Sequence, residues 1–580
     1  MSAPVAPPAP ARVVPDRSAP LARVLALLAA RGTVDADDVV GTWEAAHAEP
    51  TTRPAARAAA PALIRALRRR ASQLSAPPEA PALRRRATLL AERVRRESAM
   101  PALRAELRLE SLLARLDAGE AVGAGEVHAQ VAPALALADA FLPGAGLAGA
   151  ENPLEDLGAA ARLLTGSLAA LLHRTLHNDD LDSPLVVGPG VYLAPLRAST
   201  AYRLATTPLH AERPAPPAGP ARRVLLVHGD NHNFVADLVR RIDASGAERR
   251  VLDLTAPPEG LRLPGLQQLV TERLARATGR RDVVVSTAPA PGSAAADLLA
   301  WPDLVVVDWA MEPAAWASLH VPDTARLAVR LHRIEAFSAQ AHAVDYGRVD
   351  DLVVVSEHMV ALARQALPLL PGQRVHVVPV VPEFERYSTA KREGAERTLA
   401  LIGWNVPVKD VGWALDVVEG LRAHDPTWRL LLVGGGLGDR LTARSWTYKT
   451  DIEQRIAAAE ATGAVERLGL RHDVPELLRE VGVILTSSKV ESYHLGFFEG
   501  AASGAFPVAR DWPWVRAFAG GARSVMPAEW IVADPRAAVE RILATDAAGQ
   551  LVARGLEAAA YVRQRYGGGD AQLGKALGVA

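Results

Sequence analysis

Two carboxylates and a lysine carry the strongest chemical signal in this chain. Glu491 and Glu499 have seven residues between them inside Ser488-Lys489-Val490-Glu491-Ser492-Tyr493-His494-Leu495-Gly496-Phe497-Phe498-Glu499, after the apolar run Val481–Leu485 and before Gly504 and Phe506-Pro507-Val508. A helix that starts near Leu495 would point its unpaired N–H groups and the positive end of its dipole at a ligand, a ready site for a diphosphate. Glu491 would then sit in the loop before that helix and Glu499 about one turn inside it. Each carboxylate can accept a pair of hydroxyl hydrogen bonds, which suits the vicinal diols of a ribose and of a sugar. A capping residue followed by a solvated helical glutamate is the plainer alternative at the same spacing. The second signal is Gly403 with Lys409 six residues on, between the run Leu399–Ile402 and the next helical segment. A lysine there can neutralise a departing phosphate; the alternative is a surface lysine at a helix start, where its charge opposes the dipole. Lys409 is one of five lysines among 65 basic residues, the other 60 being arginine.

Residues so placed need strands to hold them. After Ala221 the sequence alternates short β-branched runs with helix-length segments: Val224–Val227, Val251–Leu254, Asp282–Ser286, Leu304–Val307, Leu327–Leu331, Leu352–Val355 and Val375–Val380. A polar interruption, Glu383–Arg397, follows, and the pattern restarts with Leu399–Ile402, Leu430–Val433, Val481–Leu485 and Phe506–Val508. Such alternation means two successive parallel, doubly wound sheets of α/β class, whose ligands sit at the carboxyl ends of the strands. The predicted organisation is a disordered Pro-rich tail over 1–20 and an all-helical domain over 21–207. A Pro-rich linker over 208–221 follows, then a first α/β domain over 222–383, a second over 397–545 and a closing helical segment over 546–580. Within the helical part, Leu109, Leu112, Leu113 and Leu116 have helical spacing and Gly119 stands where a C-terminal cap would. The linker predicts that the chain from about Arg222 onward folds as an independent unit.

Composition excludes several classes. The 580 residues suit roughly four compact units. Acidic and basic residues balance at 65 each, so no general affinity for nucleic acid or acidic membrane follows from net charge. There is no cysteine, hence no disulfide framework, thiolate nucleophile or Cys-based metal site. No apolar run reaches the ~18 residues of a spanning helix, and the run Val24–Ala30 lacks a cleavage pattern, so a cytoplasmic location is expected. Gly434-Gly435-Gly436-Leu437-Gly438 lacks the dinucleotide fingerprint spacing, and no P-loop occurs.

The segment Ser488–Val508, with Gly403 and Lys409 at the first strand of the same sheet, resembles the retaining GT-B-fold glycosyltransferases, the large family once called group 1. Leu432-Val433-Gly434-Gly435-Gly436 is similar to that family's Gly-rich turn, and the resemblance spans about 222–580, leaving 1–221 outside it. It implies two Rossmann-like domains and transfer of a sugar from a nucleotide-diphosphate sugar with retention of configuration and without a metal. It also implies that Glu499 binds the ribose, Glu491 lies at the donor sugar and Lys409 contacts the diphosphate, with Gly403, Gly434, Ser488, His494 and Leu495 around the donor. Acceptor binding falls to 222–383 and donor binding to 397–545, with 546–580 packing back on the first domain. His332, after the run Leu327–Leu331, is similar in place to a catalytically important family histidine; a buried, hydrogen-bonded histidine is the other reading. Glu335, His228, Gly229 and Asn231 are candidates for the acceptor side or its loops. Two positions depart from the family. Trp404 replaces an arginine, whose charge Arg440, Arg444, Lys449 or Lys489 would have to supply. His494 replaces a glycine, narrowing backbone approach to the phosphate or adding a donor.

Two further features are read more plainly. Asp180-Leu181-Asp182 matches the Asp-x-Asp metal motif of another glycosyltransferase fold, but it follows no strand series and is read as a solvated turn. Between Arg53 and Arg108, fourteen arginines stand against four glutamates. Anionic lipid is a plausible partner for such a face, a solvated or docking face is the alternative, and without interleaved aromatics no nucleic acid is expected.

Overall fold

Buried runs rich in Val and Leu become the inner strands of two sheets in a computed structural model of the chain. The structure describes residues 36–73, 79–97, 100–145, 153–209, 219–229, 235–259, 261–280, 286–380, 383–438, 441–567 and 569–579. The expected tail 1–20, most of the linker, Asp282–Val285, Asn231 and Arg440 lie outside these residues.

The first sheet holds β1 (Arg223–His228), β2 (Glu248–Asp253), β3 (Leu304–Asp308), β4 (Arg326–Leu331), β5 (Asp351–Val354) and β6 (Val375–Val377), all parallel, in the order β2-β1-β3-β4-β5-β6. The second holds β7 (Thr398–Ile402), β8 (Arg429–Val433), β9 (Val465–Gly469), β10 (Val483–Thr486), β11 (Phe506–Arg510) and β12 (Ile531–Val532), parallel, in the order β12-β11-β10-β7-β8-β9. These are two doubly wound, Rossmann-like parallel sheets, the α/β class read from the strand runs. Strand order reverses at β1/β3 and again at β7/β10, and at such a switch point the loops diverge and leave a crevice at the carboxyl ends. β9 and β12 had no sequence signal: β9 is an edge strand with exposed charged positions, and β12 has two residues.

The closing segment serves both sheets. Helix Leu551–Tyr566 packs on β11 and on helix Leu495–Ala502. Helix Gly569–Leu577 returns to the first sheet, where Leu573, Ala576, Leu577 and Val579 share a core with Val224, Leu226, Leu238, Ala328 and Val353.

The helical region divides at Ala118, not at the Pro-rich segment. Residues up to Ala118 form one unit of four described helices, Ala36–Ala48, Arg53–Gln73, Glu79–Glu97 and Pro101–Asp117. Part of the arginine-rich stretch is internal to it: Arg65 bonds Glu106 and Glu110 at 2.8 and 3.1 Å, and Arg68 bonds Glu110 and Asp117 at 2.8 and 2.6 Å. Arg85, Arg86, Arg93, Arg96, Arg104 and Arg108 are exposed.

Helices from Ala124 to Thr206 belong instead to the unit that carries both sheets. The reason is buried polar chemistry as much as apolar packing. Arg273, fully buried on helix Leu266–Ala277, donates to the carbonyls of Ala205 and Thr207. Tyr202 hydrogen-bonds the buried His342 ring at 2.8 Å, and Asp345 accepts from the Leu209 N–H at 3.0 Å. Stripping these helices would orphan a buried guanidinium and its neighbours, which costs several kcal/mol. A chain beginning at Arg222 is therefore expected to be insoluble or unfolded, whereas one beginning at Gly119 gives a cooperative melt; circular dichroism of the two decides.

Five histidines are held neutral, chiefly by burial: His177, His320, His358 and His494 are pushed down to about 4 and His342 to about 3, against an ordinary 6.5. In the unfolded chain they protonate near 6.5, so between about 6.5 and 4 the unfolded state binds more protons. The histidine contribution to stability is then expected to be constant above that window and to fall as pH drops through it, by up to ~1.4 kcal/mol per unit for each histidine. Urea midpoints measured at neutral and mildly acidic pH check the sign.

Candidate functional site

The loops that leave β7 and β10 border the switch point of the second sheet, and they carry Lys409 and Glu491. After Ile402 the chain turns at Gly403 (φ 80°), a left-handed conformation that favours glycine, and its N–H donates to Val433 O at 2.8 Å. Gly434, at the end of β8, stands against it: a Cβ there would lie 3.5 Å from Gly403 Cα. A 3-10 turn, Pro407–Lys409, then presents Lys409. The two loops are stitched together, with Ser487 Oγ donating to Lys409 O at 2.6 Å and Lys489 N–H to Val408 O at 2.8 Å. Asp410, which opens helix Val411–Arg422, accepts from Arg510 at 2.5 Å and from Tyr448 at 3.1 Å.

Helix Leu495–Ala502 starts where the sequence placed it. It lies directly on the sheet because two of its residues lack side chains: a Cβ on Gly496 would come within 2.8 Å of Ile402, and one on Gly500 within 2.4 Å of Ile484. The cap is His494, in the left-handed region at φ 61°. Its Nε2 faces Ile402 O at 3.1 Å, which can only accept, so Nε2 carries the proton, and Nδ1 accepts from Thr486 Oγ1 at 2.6 Å. Trp512 Nε1 donates to that same hydroxyl at 3.3 Å. Both ring nitrogens are thus spent inside the protein. His494 fixes the entry to the helix and offers no ring donor to a ligand.

Glu491 is buried, 6% exposed, and its Oε1 accepts from Lys409 Nζ and from Ser488 Oγ, the latter at 2.6 Å. Burial by itself would raise this carboxyl, but the Lys409 ammonium foremost, with Arg333 behind it, overcomes that and holds it at about 2. Glu499 is half-buried one turn into the helix, where Tyr387 Oη donates to its Oε1 at 2.8 Å. Burial raises its pKa, with the Tyr387 hydrogen bond and Arg386 in opposition.

Trp404 is a core residue, 2% exposed in the cluster of Val411, Leu432 and Leu437, with Gly436 against its ring. Of the cations considered in its place, the three described ones are engaged by protein. Arg444 pairs with Asp182 at 2.7 Å, Lys489 Nζ donates to Leu181 O at 2.9 Å, and Lys449 Nζ reaches Gly438 O at 3.4 Å. The Asp180-Leu181-Asp182 turn is accordingly more than a solvated loop, since its backbone and Asp182 hold side chains of the second domain.

In the first domain, His332 follows β4 and its Nε2 lies 3.1 Å from Asp308 Oδ1, whose carboxylate is also clamped by Arg330 at 2.8 and 3.0 Å. The Trp309 ring tilts against it, centroids 4.2 Å apart. Glu335 is fully buried and accepts from the backbone N–H groups of Ala310 and His332 at 3.1 and 3.0 Å. Through Oε1 it ties the loop after β3 to the loop after β4, while its buried Oε2 has no hydrogen-bond partner among the described residues. His228 ends β1 with Nδ1 3.8 Å from Asp253, and Gly229 lies beside Pro313.

Two residues that the sequence reading did not single out lie beside these loops. His358 Nε2 donates to Glu491 O at 2.8 Å and its Nδ1 accepts from Ser524 at 2.7 Å, joining the first domain to the loop of the second. Arg333, beside His332, acts electrostatically on Glu491 and donates to Asn178 Oδ1 at 3.1 Å. Its place at the end of β4 was the signal that would have found it.

No family model matches the chain, and no curated protein sequence does. Among solved structures it is similar to HepE from Anabaena in complex with UDP and glucose, at 16% identity over 61% of this chain and 98% of that one, TM-score 0.43. Sucrose-phosphate synthase from Thermosynechococcus elongatus matches at 15% identity over 61% and 98%, TM-score 0.42. The pneumococcal O-GlcNAc transferase GtfA in complex with UDP and GlcNAc matches at 14% over 47% and 56%, TM-score 0.37.

Removing either member of the Lys409–Glu491 pair strands a buried charge, so Lys409→Met and Glu491→Gln are each expected to cost roughly 2–4 kcal/mol, and the double variant less than their sum. A double-mutant cycle in urea measures the coupling.

Proposed function

We propose that this protein transfers a glycosyl group from a nucleoside-diphosphate sugar to an acceptor, with retention of anomeric configuration. The observation that carries this reading is the Lys409–Glu491 pair at the β7/β10 switch point, beside the N-terminus of helix Leu495–Ala502 and with Glu499 one turn inside it. A desolvated cation and a helix N-terminus together suit a departing diphosphate. Glu499 suits the ribose diol and Glu491 the hydroxyls of the donor sugar. In this reading His332, on the first sheet with its ring oriented by Asp308, positions the acceptor. In the retaining scheme implied by the resemblance, the acceptor hydroxyl attacks on the face from which the nucleotide leaves. Its proton passes to the departing phosphate, so no separate carboxylate base is needed. Lys409 and the helix N-terminus supply the charge compensation that a divalent ion would otherwise give. Exposed arginines of the first unit make an anionic lipid surface the peripheral partner in this reading.

The core position of Trp404, which leaves Lys409 without a cationic neighbour on its own strand end, favours a second reading: a sugar-nucleotide binder without transfer. Donor hydrolysis separates the two. Lys409→Ala and Glu499→Ala are expected to lower donor turnover about 100- to 1,000-fold, and wild-type turnover in both would remove the site assignment. NMR of the product's anomeric centre with a chelator present is expected to show retention; an inverted linkage, or activity that needs added metal, overturns the mechanism.

A further inference from the structure

One short segment of the helical region touches both α/β domains. Asn178 is buried, 6% exposed, and its Oδ1 accepts from Arg333 Nη2 at 3.1 Å at the end of β4. Three residues on, Leu181 O accepts from Lys489 Nζ at 2.9 Å, in the loop after β10 that carries Glu491. Asn178 is itself oriented, since its Nδ2 donates to Asp179 Oδ1 at 3.0 Å, and Asp179 is clamped by Arg174 at 2.8 and 2.9 Å. Residues 178–181 therefore form a strap that sets the distance between Arg333 and the Glu491 loop.

Arg333 is underused by the protein. A guanidinium carries five N–H donors, yet among the described residues its one hydrogen bond is to Asn178, and no carboxylate pairs with it, although Glu491 and Glu335 lie within electrostatic range. Two other strand arginines are spent: Arg330, on β4 of the first sheet, is locked on Asp308, and Arg510, at the end of β11 in the second, on Asp410. A nucleoside diphosphate leaves with more negative charge than one ammonium compensates, and the strand end beside Lys409 offers the indole of Trp404, turned into the core.

We propose that Arg333, projected from the first domain and aimed by Asn178, is the second cation of the leaving group and takes the distal phosphate of the diphosphate. The site would be completed by both domains, with Lys409 from the second and Arg333 from the first. Planar, forked donors suit phosphate oxygens, and a lysine would not reproduce them. Asn178 is a positioning residue in this scheme. The proposal rests on the glycosyltransferase reading, and its test keeps the two apart.

The experiment is calorimetric titration of the full chain with UDP, GDP and ADP and the corresponding monophosphates, then repeated on Arg333→Gln, Arg333→Lys and Asn178→Ala. Wild type is expected to bind one diphosphate more tightly than its monophosphate. Arg333→Gln is expected to weaken the diphosphate ten- to a hundredfold, by the usual worth of a charge-assisted hydrogen bond, and to leave the monophosphate within threefold. Asn178→Ala is expected to weaken the diphosphate severalfold in the wild-type background and not at all in the Arg333→Gln background, a non-additivity that general loosening of the fold would not produce. If Arg333→Gln does not fold, Arg333→Lys, which keeps the charge and loses the fork, decides. Diphosphate binding unchanged in the folded Arg333 variants overturns the proposal while the donor site stands. Failure of wild type to bind any of the three diphosphates overturns the functional reading itself.

Discussion

A carboxylate out of contact with water must find positive charge, and the region around Glu491 is arranged to meet that demand. Lys409 arrives from the strand next door, Ser488 from the same loop, and Arg333 from the other domain, while His358 secures the backbone at that point. Each needs its own support. Lys409 is held because Ser487 and Lys489 fasten its turn to the β10 loop, and that loop can approach because Gly496 and Gly500 let the following helix lie flat on Ile402 and Ile484. The same arrangement leaves concentrated positive potential wherever a ligand displaces the carboxylate. An anionic group that enters exchanges one negative partner for another, with no bare cation in the interval.

How far the sequence revealed this depends on the range of the interaction. The strand runs were legible because parallel strands buried on both faces are continuous apolar stretches, and Lys409, Glu491 and Glu499 were legible because each follows such a run or the helix after it. The division of the helical region was not: the apolar face of helix Ala124–Ala140 has the same periodicity whichever neighbour covers it, and the polar anchors Arg273, Tyr202 and Asp345 are ordinary residues until the chain brings them together. Asn178, Arg333 and His358 share that property. β9 escaped because an edge strand with Glu466 and Arg467 outward looks like a loop.

His494 and Trp404 show how two bulky side chains are accommodated beside the Lys409 and Glu491 loops. An imidazole in a left-handed cap is tolerated because Thr486 and Ile402 satisfy both of its ring nitrogens, so the helix is fixed at its start. The indole that follows Gly403 packs into the core beneath the Gly-rich turn, with Gly436 against its ring.

The path of the chain through its two sheets has a consequence for biosynthesis. The first sheet is translated early, yet part of its core, Leu573, Ala576, Leu577 and Val579, is supplied by a helix that follows the whole of the second domain. While the ribosome is still making that domain, Val224, Leu226 and Val353 face a gap where this helix will lie. The nascent first domain therefore waits with an uncovered apolar surface, an interval in which chaperone binding or premature association competes with completion of the fold.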